Sequence, residues 1–382
     1  MTQQRRSFLG QVLAMGAMSA PCASIWAQSP SSNQSPRVFE PHVGEWRTFD
    51  VTTRVELTPS KGASRVWLPL PSLQTPWQQS LTHDYVSNGR TQIKTDGQEG
   101  AKMLMVEFDA IGNVNASQPF VQVTSRVKTQ NRQTKWGEVS AASTPWIPED
   151  PSTLHYYTRA TRWLPTDGIV RRTALDVTKS ASTDVEKVRA LYDWVVSNTY
   201  REPKVKGCGE GDIKTMLETG NLGGKCADIN AVMVGLCRSV GIPARDVYGL
   251  RLVPSAFSYK ELSGNPSNLK GAQHCRSEVY LKGKGWVAMD PADVAKVMRQ
   301  ETPEWIKTTR HPVVQPVYQT LFGGWEGNWM AWNTSHDVAL PGSKSKERLP
   351  FLMYPVAENE EGRLDSYDPD SFKYQITAQE IV

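Results

Sequence analysis

Between about residues 45 and 135, polar and apolar positions alternate in short runs: 48–57 (TFDVTTRVEL), 64–71 (SRVWLPLP), 102–111 (KMLMVEFDAI) and 120–129 (FVQVTSRVKT). Turn residues separate the runs and helical periodicity is absent, so the segment predicts an antiparallel β-sandwich or small sheet domain. The period then changes. Thr183 and Glu186 have the spacing of a capping box, and Val185, Val188, Leu191, Tyr192, Val195 and Val196 follow as one apolar helical face. A second helix is predicted over 226–239. Ile229, Val232, Met233, Leu236 and Val240 form its buried stripe, and Gly241 and Pro243 end it. Three strand-like runs come next, 245–253, 273–281 and 285–290, the last two joined by KGKG. Helices followed by an antiparallel sheet make an α+β arrangement. A stretch rich in proline and tryptophan, 144–165, is expected to wrap the junction between the two regions, and the last 80 or so residues are irregular and aromatic.

Length adds that 382 residues exceed one ordinary core, so two domains, or one with a large extension, are expected. Apolar content of 39% and 13 tryptophans exclude a disordered chain. The formal charge of +4 includes Arg5 and Arg6 and leaves +2 for the remainder, which gives no reason to expect nucleic acid or a charged membrane surface as partner. Arg5-Arg6 precede Ser7-Phe8-Leu9 and an uncharged, weakly apolar run from Val12 to Ala27. That matches a bacterial twin-arginine signal cleaved after Ala27. The expected location is therefore the periplasm, without a membrane anchor, since the run is short for a span and Cys22 in Ser-Ala-Pro-Cys is a poor lipid-attachment sequence. The polar, proline-punctuated residues 28–37 read as a linker.

The chemistry gathers at Cys226, which opens the second helix behind Gly223-Gly224-Lys225. Unpaired N–H groups and the helix dipole favour a thiolate there, and the glycines let a substrate backbone approach. By itself such a cysteine is more often a small buried residue; it gains meaning only with a base. His274 is the candidate base, on a strand whose alternation places His274, Arg276, Glu278 and Tyr280 on one face. Asp290 ends the partner strand, where a carboxylate can orient the imidazole and favour the imidazolium.

These segments, GGKCADINAVMVGLCRSVGIPARDVYG, QHCRSEVYL and GWVAMDPAD, resemble the catalytic core of the transglutaminase-like superfamily. The resemblance is clear over residues 181–294. It implies a Cys-His-Asp triad at Cys226, His274 and Asp290, with Trp286, Val287 and Pro291 completing the matching strand end. It also implies a papain-like α+β core. The expected reaction is attack of the thiolate on a protein or peptide amide, giving a thioester released to an amine or to water. A periplasmic cysteine peptidase or amidase, and a catalytically silent binding module, are the alternatives. The organisation expected is a signal over 1–27, a linker over 28–40, a β-rich domain over 41–165, a catalytic domain over 166–300 and an extension packing on the core over 301–382. A monomer without cofactor or metal is expected. The chain departs from the family in Cys275-Arg276, where a small residue and an aromatic are commoner, so a polar cleft floor is expected. The acidic loops behind calcium dependence in animal transglutaminases are missing.

Other residues fit this chemistry less well. His336 is a rival base, but its adjacent Asp337 should point away from it on an extended chain. The stretch 322–332 (FGGWEGNWMAW) fits a stacking platform less well than a tail packed on the core. Asp365, Asp368 and Asp370 lack the glycine and distal glutamate of a calcium loop and read as turn residues. Cys226 and Cys237 lack the further ligands of a zinc site. Two geometric expectations follow. His274 and Asp290 share a hairpin face if Lys282-Gly283-Lys284 is a three-residue loop, with Arg276 opposite Asp290. In an oxidising compartment Cys208 and Cys275 are expected to form a disulfide, with Cys275 facing away from His274 and out of reach of Cys226.

Overall fold

The computed structural model describes residues 37–58, 62–97, 99–110, 117–137, 149–370 and 372–381. The expected signal segment, Cys22 and most of the linker lie outside the described residues, as do residues 144–148 of the expected junction stretch. Residues Pro36–Val382 make one compact unit.

Two antiparallel sheets arise from the alternating runs. In the first, Tyr374–Ile381, Arg47–Glu56, Phe120–Thr129, Gln78–Ser87 and Gln74–Thr75 lie side by side in that order. Phe49, Val51 and Val55 point inward against Val121, Val123 and Val127, which is the half-buried alternation written in both strands. In the second, the order is Val356–Glu358, Ser64–Pro69, Lys102–Phe108 and Arg90–Thr95. Residues 301–382, expected to pack on the core, do more than that. Tyr374–Ile381 pairs with Thr48 to Val55 of the strand Arg47–Glu56, Val356–Glu358 pairs with Ser64–Pro69, and Trp329–Asn333 joins the sheet that carries His274. A strand edge left bare by the first 300 residues exposes unpaired backbone groups, and the C-terminal strands cover such edges.

That third sheet runs Gly285–Met289, Gln273–Leu281, Ala244–Arg251, Trp329–Asn333, all antiparallel. We call Gln273–Leu281 the histidine strand. The cysteine helix, Cys226–Ser239, packs on it and begins and ends as the sequence predicts. Its burial exceeds an apolar stripe, because every residue of it is buried. Small residues, Ala227, Ala231 and Gly235, form part of the remaining surface, and a Cβ at Gly235 would lie 2.2 Å from Ile213 Cδ1, which would have to move. Its polar residues are tied down, Arg238 donating from Nε to the Ala244 carbonyl at 2.7 Å. The preceding helix, Asp184–Asn198, has the expected capping box at Thr183 and Glu186 and buries the expected face. Val185 is the exception, exposed in the first turn.

Candidate active site

The hairpin register decides whether the site can exist. Ser277 pairs with Met289, Glu278 with Ala288 and Leu281 with Gly285, so paired numbers sum to 566 and the three-residue loop is present, with Gly283 in the left-handed region at φ 78°. Continued by one pair, that register sets Arg276 against Asp290 and leaves His274 on the diagonal. The imidazole Nε2 of His274 lies 2.8 Å from Asp290 Oδ2. Nδ1 is then the ring nitrogen turned away from Asp290, and His274 is one of the groups whose nearness favours the Cys226 thiolate. All three side chains are buried, with Cys226 2%, His274 4% and Asp290 0% exposed. The structure thus brings the three predicted residues together.

Asp290 is also the N-cap of the helix Pro291–Gln300, accepting from the Asp293 backbone N–H at 3.0 Å. Asn230 Nδ2 reaches its Oδ1 at 3.4 Å, and Arg276 Nε stands 3.4 Å from its Oδ2. Arg276 is itself buried, its guanidinium stacked over Trp325 and Trp329. Gly249 pairs with His274 in the adjacent strand, and its missing side chain admits Trp329, whose ring would lie 2.3 Å from a Cβ. The Trp329 indole N–H then donates to the His274 carbonyl at 2.8 Å. The stretch 322–332 is accordingly core, with Trp325, Trp329 and Trp332 buried and Trp77 packed against the first two.

A second carboxylate escaped the sequence reading. Asp293 Oδ1 lies 3.4 Å from His274 Nε2 and is paired with Arg251. Its one signal was the spacing Asp290-Pro-Ala-Asp293, which puts both carboxylates in one helical turn. Burial and Arg251 pull the His274 pKa down, but Asp293 and Asp290 outweigh them and raise it to about 9. Burial pushes Asp290 above its ordinary value, with the Asp293 charge adding to it and the bond from His274 opposing it. Asp293 stays well below the carboxylate range despite burial, because Arg251 and His274 face it. His274, Asp290 and Asp293 offer ligand atoms within 4.8 Å of one another, as a cation would need. Arg251 and Arg276 already lie on those carboxylates, so a metal ion would enter against two guanidiniums.

The sulfurs differ from expectation. Cys208, Cys226, Cys237 and Cys275 are all free, and the Cys208–Cys275 bridge is not formed. Cys208 donates instead to the Gln273 carbonyl at 3.4 Å, and both thiols lie near enough to favour the charged form of Cys226. The sulfur belongs to the first residue of the helix and sits beside the first residues of the histidine strand, so strand alternation does not separate it from Cys275. Bonds from Cys208 and Cys275 are the leading causes that hold the Cys226 thiol well below its ordinary pKa; burial opposes them and protonated His274 adds to them. Cys208 is itself fixed. Its Sγ accepts from the Tyr354 hydroxyl at 3.0 Å, and its carbonyl accepts from the Ala227 N–H at 2.9 Å. Asp228 ties the Cys208 loop to the helix start by accepting from the N–H groups of Glu210, Gly211 and Lys225. Gly209, at φ 88°, admits that carboxylate, which would lie 1.8 Å from a Cβ.

The rival residues settle elsewhere. His336 turns from Asp337 to Asp246, at 3.2 Å, while Asp337 accepts from the Arg162 N–H at 2.7 Å. Asp365 accepts from the Tyr367 N–H and pairs with Lys206, and Asp370 pairs with Lys270, as turn residues do.

Comparison with known proteins is consistent with this geometry. Residues 171–291, which include Cys226, His274 and Asp290, match the family model of the transglutaminase-like superfamily. An uncharacterized protein of Haemophilus influenzae is 33% identical over 337 residues, covering 84% of this chain and 88% of that protein. The protein YebA of Bacillus subtilis is 31% identical over 131 residues, 32% of this chain and 17% of its own. Among solved structures, a cysteine-protease candidate from Cytophaga hutchinsonii superposes with a TM-score of 0.48 at 14% identity, covering 89% of this chain and 90% of its own. The chain belongs to the transglutaminase-like superfamily.

Proposed function

We propose that this chain is a thiol enzyme that takes the acyl group from a protein or peptide amide. The Cys226 thiolate attacks the carbonyl carbon, and the Cys226 backbone N–H at the helix start helps hold the oxyanion. The C–N bond breaks as the His274 imidazolium gives its proton to the departing amine. A thioester on Cys226 remains. A second amine or water then attacks it, His274 takes the proton back, and the thiolate leaves. Asp290 orients the imidazole, and the general-acid step contributes about 10² to 10⁴ in rate. The observation that carries this reading is the buried His274–Asp290 bond of 2.8 Å beside a sulfur at a helix start. The N-terminal segment, read as a twin-arginine signal, would place the reaction in the periplasm.

Mass spectrometry of periplasmic proteins incubated with the enzyme and a tagged amine tests the reaction. Tag incorporation that depends on Cys226 identifies transfer, and new chain ends or deamidated glutamines that depend on it identify hydrolysis. Neither product, with a folded protein, sinks the reading.

A further inference from the structure

A cleft of about 320 Å³ opens beside the sulfurs. Its lining includes Lys225 and Gln273, the residues that immediately precede Cys226 and His274, together with Cys208. Cys226 and His274 thus adjoin its wall through their chain neighbours. Three cations face it: Arg201, Lys225 and Lys270.

Their partners do not balance that charge. Lys270 pairs with Asp370 at 2.8 Å, a carboxylate 87% exposed, and such surface pairs are weak. Arg201 is half-buried and donates from Nε to the neutral Gln300 amide at 3.1 Å. Lys225 is half-buried too, and Arg201 is near enough to disfavour its charge. Among the described residues no carboxylate lies within ion-pair distance of Arg201 or Lys225. Asp228 is near, but its oxygens accept three backbone N–H groups instead. Two like charges partly out of water and without a carboxylate counter-ion, with only the sulfurs of Cys208 and Cys226 favouring the charge on Lys225, cost free energy that an incoming anion would recover.

Gln273 supplies an independent observation. Its side chain is 7% exposed, it lines the cleft, and neither its amide nitrogen nor its amide oxygen has a hydrogen-bond partner. A buried primary amide left with both functions unpaired is costly and rare in folded proteins. One donor and one acceptor together match a peptide group, which offers one C=O and one N–H. The hydroxyl-bearing rings of Tyr354 and Tyr367, packed edge to face at 4.9 Å, form an apolar wall of the cleft.

Resting on the reading of Cys226 as the nucleophile, we propose that the acyl donor is an acidic peptide. Its carboxylate binds Arg201 and Lys225, and a neighbouring peptide group pairs with Gln273. The carboxylate belongs either to a Glu or Asp side chain or to a free C-terminus, which offer the same chemistry to the two cations.

Binding is read without catalysis on the full chain carrying Cys226→Ala. Equilibrium dialysis followed by mass spectrometry compares three pools of acetylated hexapeptides: amides with Glu moved through each position, the same pool with Gln, and a Gln pool with a free C-terminal carboxylate. The Glu pool or the free-carboxylate pool is expected to be retained about tenfold better than the neutral amides, and which one identifies the source. Arg201→Met and Lys225→Met should each lower that preference about tenfold, and 0.5 M salt, roughly a Debye length of 4 Å, should weaken it. Gln273→Leu should weaken retention of every pool and leave the acidic preference in place. Circular dichroism confirms that each variant is folded. Equal retention of acidic and neutral pools by the folded protein overturns the proposal, as does a preference that neither Met variant changes. Variants that move only the pH dependence of Cys226 alkylation in the wild-type background would assign the cations to the thiolate, and overturn it likewise. Failure of the nucleophile reading is a separate result: Cys226 would then resist alkylation while the acidic peptides were still retained.

Discussion

The two ends of the cysteine helix carry the same side chain in nearly the same burial, Cys226 at 2% and Cys237 at 0% exposure, and they behave oppositely. Burial alone acts on Cys237 and pushes its thiol far up. Burial acts on Cys226 as well, but bonds from Cys208, Cys275 and His274 outweigh it and hold the thiol well below its ordinary value. Desolvation therefore does not make a nucleophile. It makes an inert thiol unless donors and a cation are fixed around the sulfur, and then low dielectric strengthens them.

The comparison breaks most visibly under substitution. Cys226→Ala should lower the rate of amide cleavage or transfer by at least about 10⁴-fold with the fold intact, and His274→Ala should come close to it. Cys237→Ala should leave kcat/KM unchanged and cost about 1 kcal/mol in thermal or urea unfolding. Equal loss at the two positions would show that the helix ends do not differ as described.

Reactivity gives the next largest contrast. Alkylation near pH 6, followed by peptide mapping, should label Cys226 far faster than Cys208, Cys237 or Cys275. Uniform slow labelling of all four removes the basis for the mechanism.

A third effect concerns the imidazolium. With its folded pKa raised to about 9, His274 holds its proton across neutral pH and should release it near pH 9, where kcat/KM should fall. The same rise above the free imidazole value of about 6.5 means that the protonated ring stabilises the fold fully below about pH 6.5, and that this contribution is lost as pH rises through 9. Asp290→Asn removes one of the two carboxylates and should move the alkaline limb toward lower pH and reduce kcat; Asp293→Asn should move the limb with a smaller loss. An alkaline limb that stays in place in both variants would mean that these carboxylates do not set the charge on His274.

The smallest effect is the most specific. Cys208→Ala deletes the leading bond to the Cys226 sulfur, so the acid limb of alkylation should move up and the rate at pH 6 should fall about tenfold. No change would leave the thiolate to Cys275 and His274.

Local signals made much of this legible in advance. The register hung on the loop Lys282-Gly283-Lys284, whose three-residue form is the one observed, and the helix start followed from a cysteine placed close behind two glycines. The capping box at Thr183 rests on contacts within a few residues, and the parting of His336 from Asp337 follows from the alternation of an extended chain. The opposite failures share a cause. Cys275 was expected to point away from the nucleophile because alternation describes a strand's faces, and it says nothing of a sulfur placed at the strand's end. Asp293 was passed over because its importance depends on Arg251, 42 residues earlier, and on a ring from another strand.

By itself, then, the sequence determined the α+β order and the bounds of the cysteine helix, since each depends on short-range periodicity, capping or turn geometry, while Cys226, His274 and Asp290 were singled out by the resemblance to a family. Only tertiary structure decided which groups surround the sulfur, which strands close the sheets, and that Arg201, Lys225 and Gln273 share one cleft. Those outcomes depend on contacts between residues tens to hundreds of positions apart. The Cα path that brings them together is selected by packing of the whole core, and no local pattern encodes it.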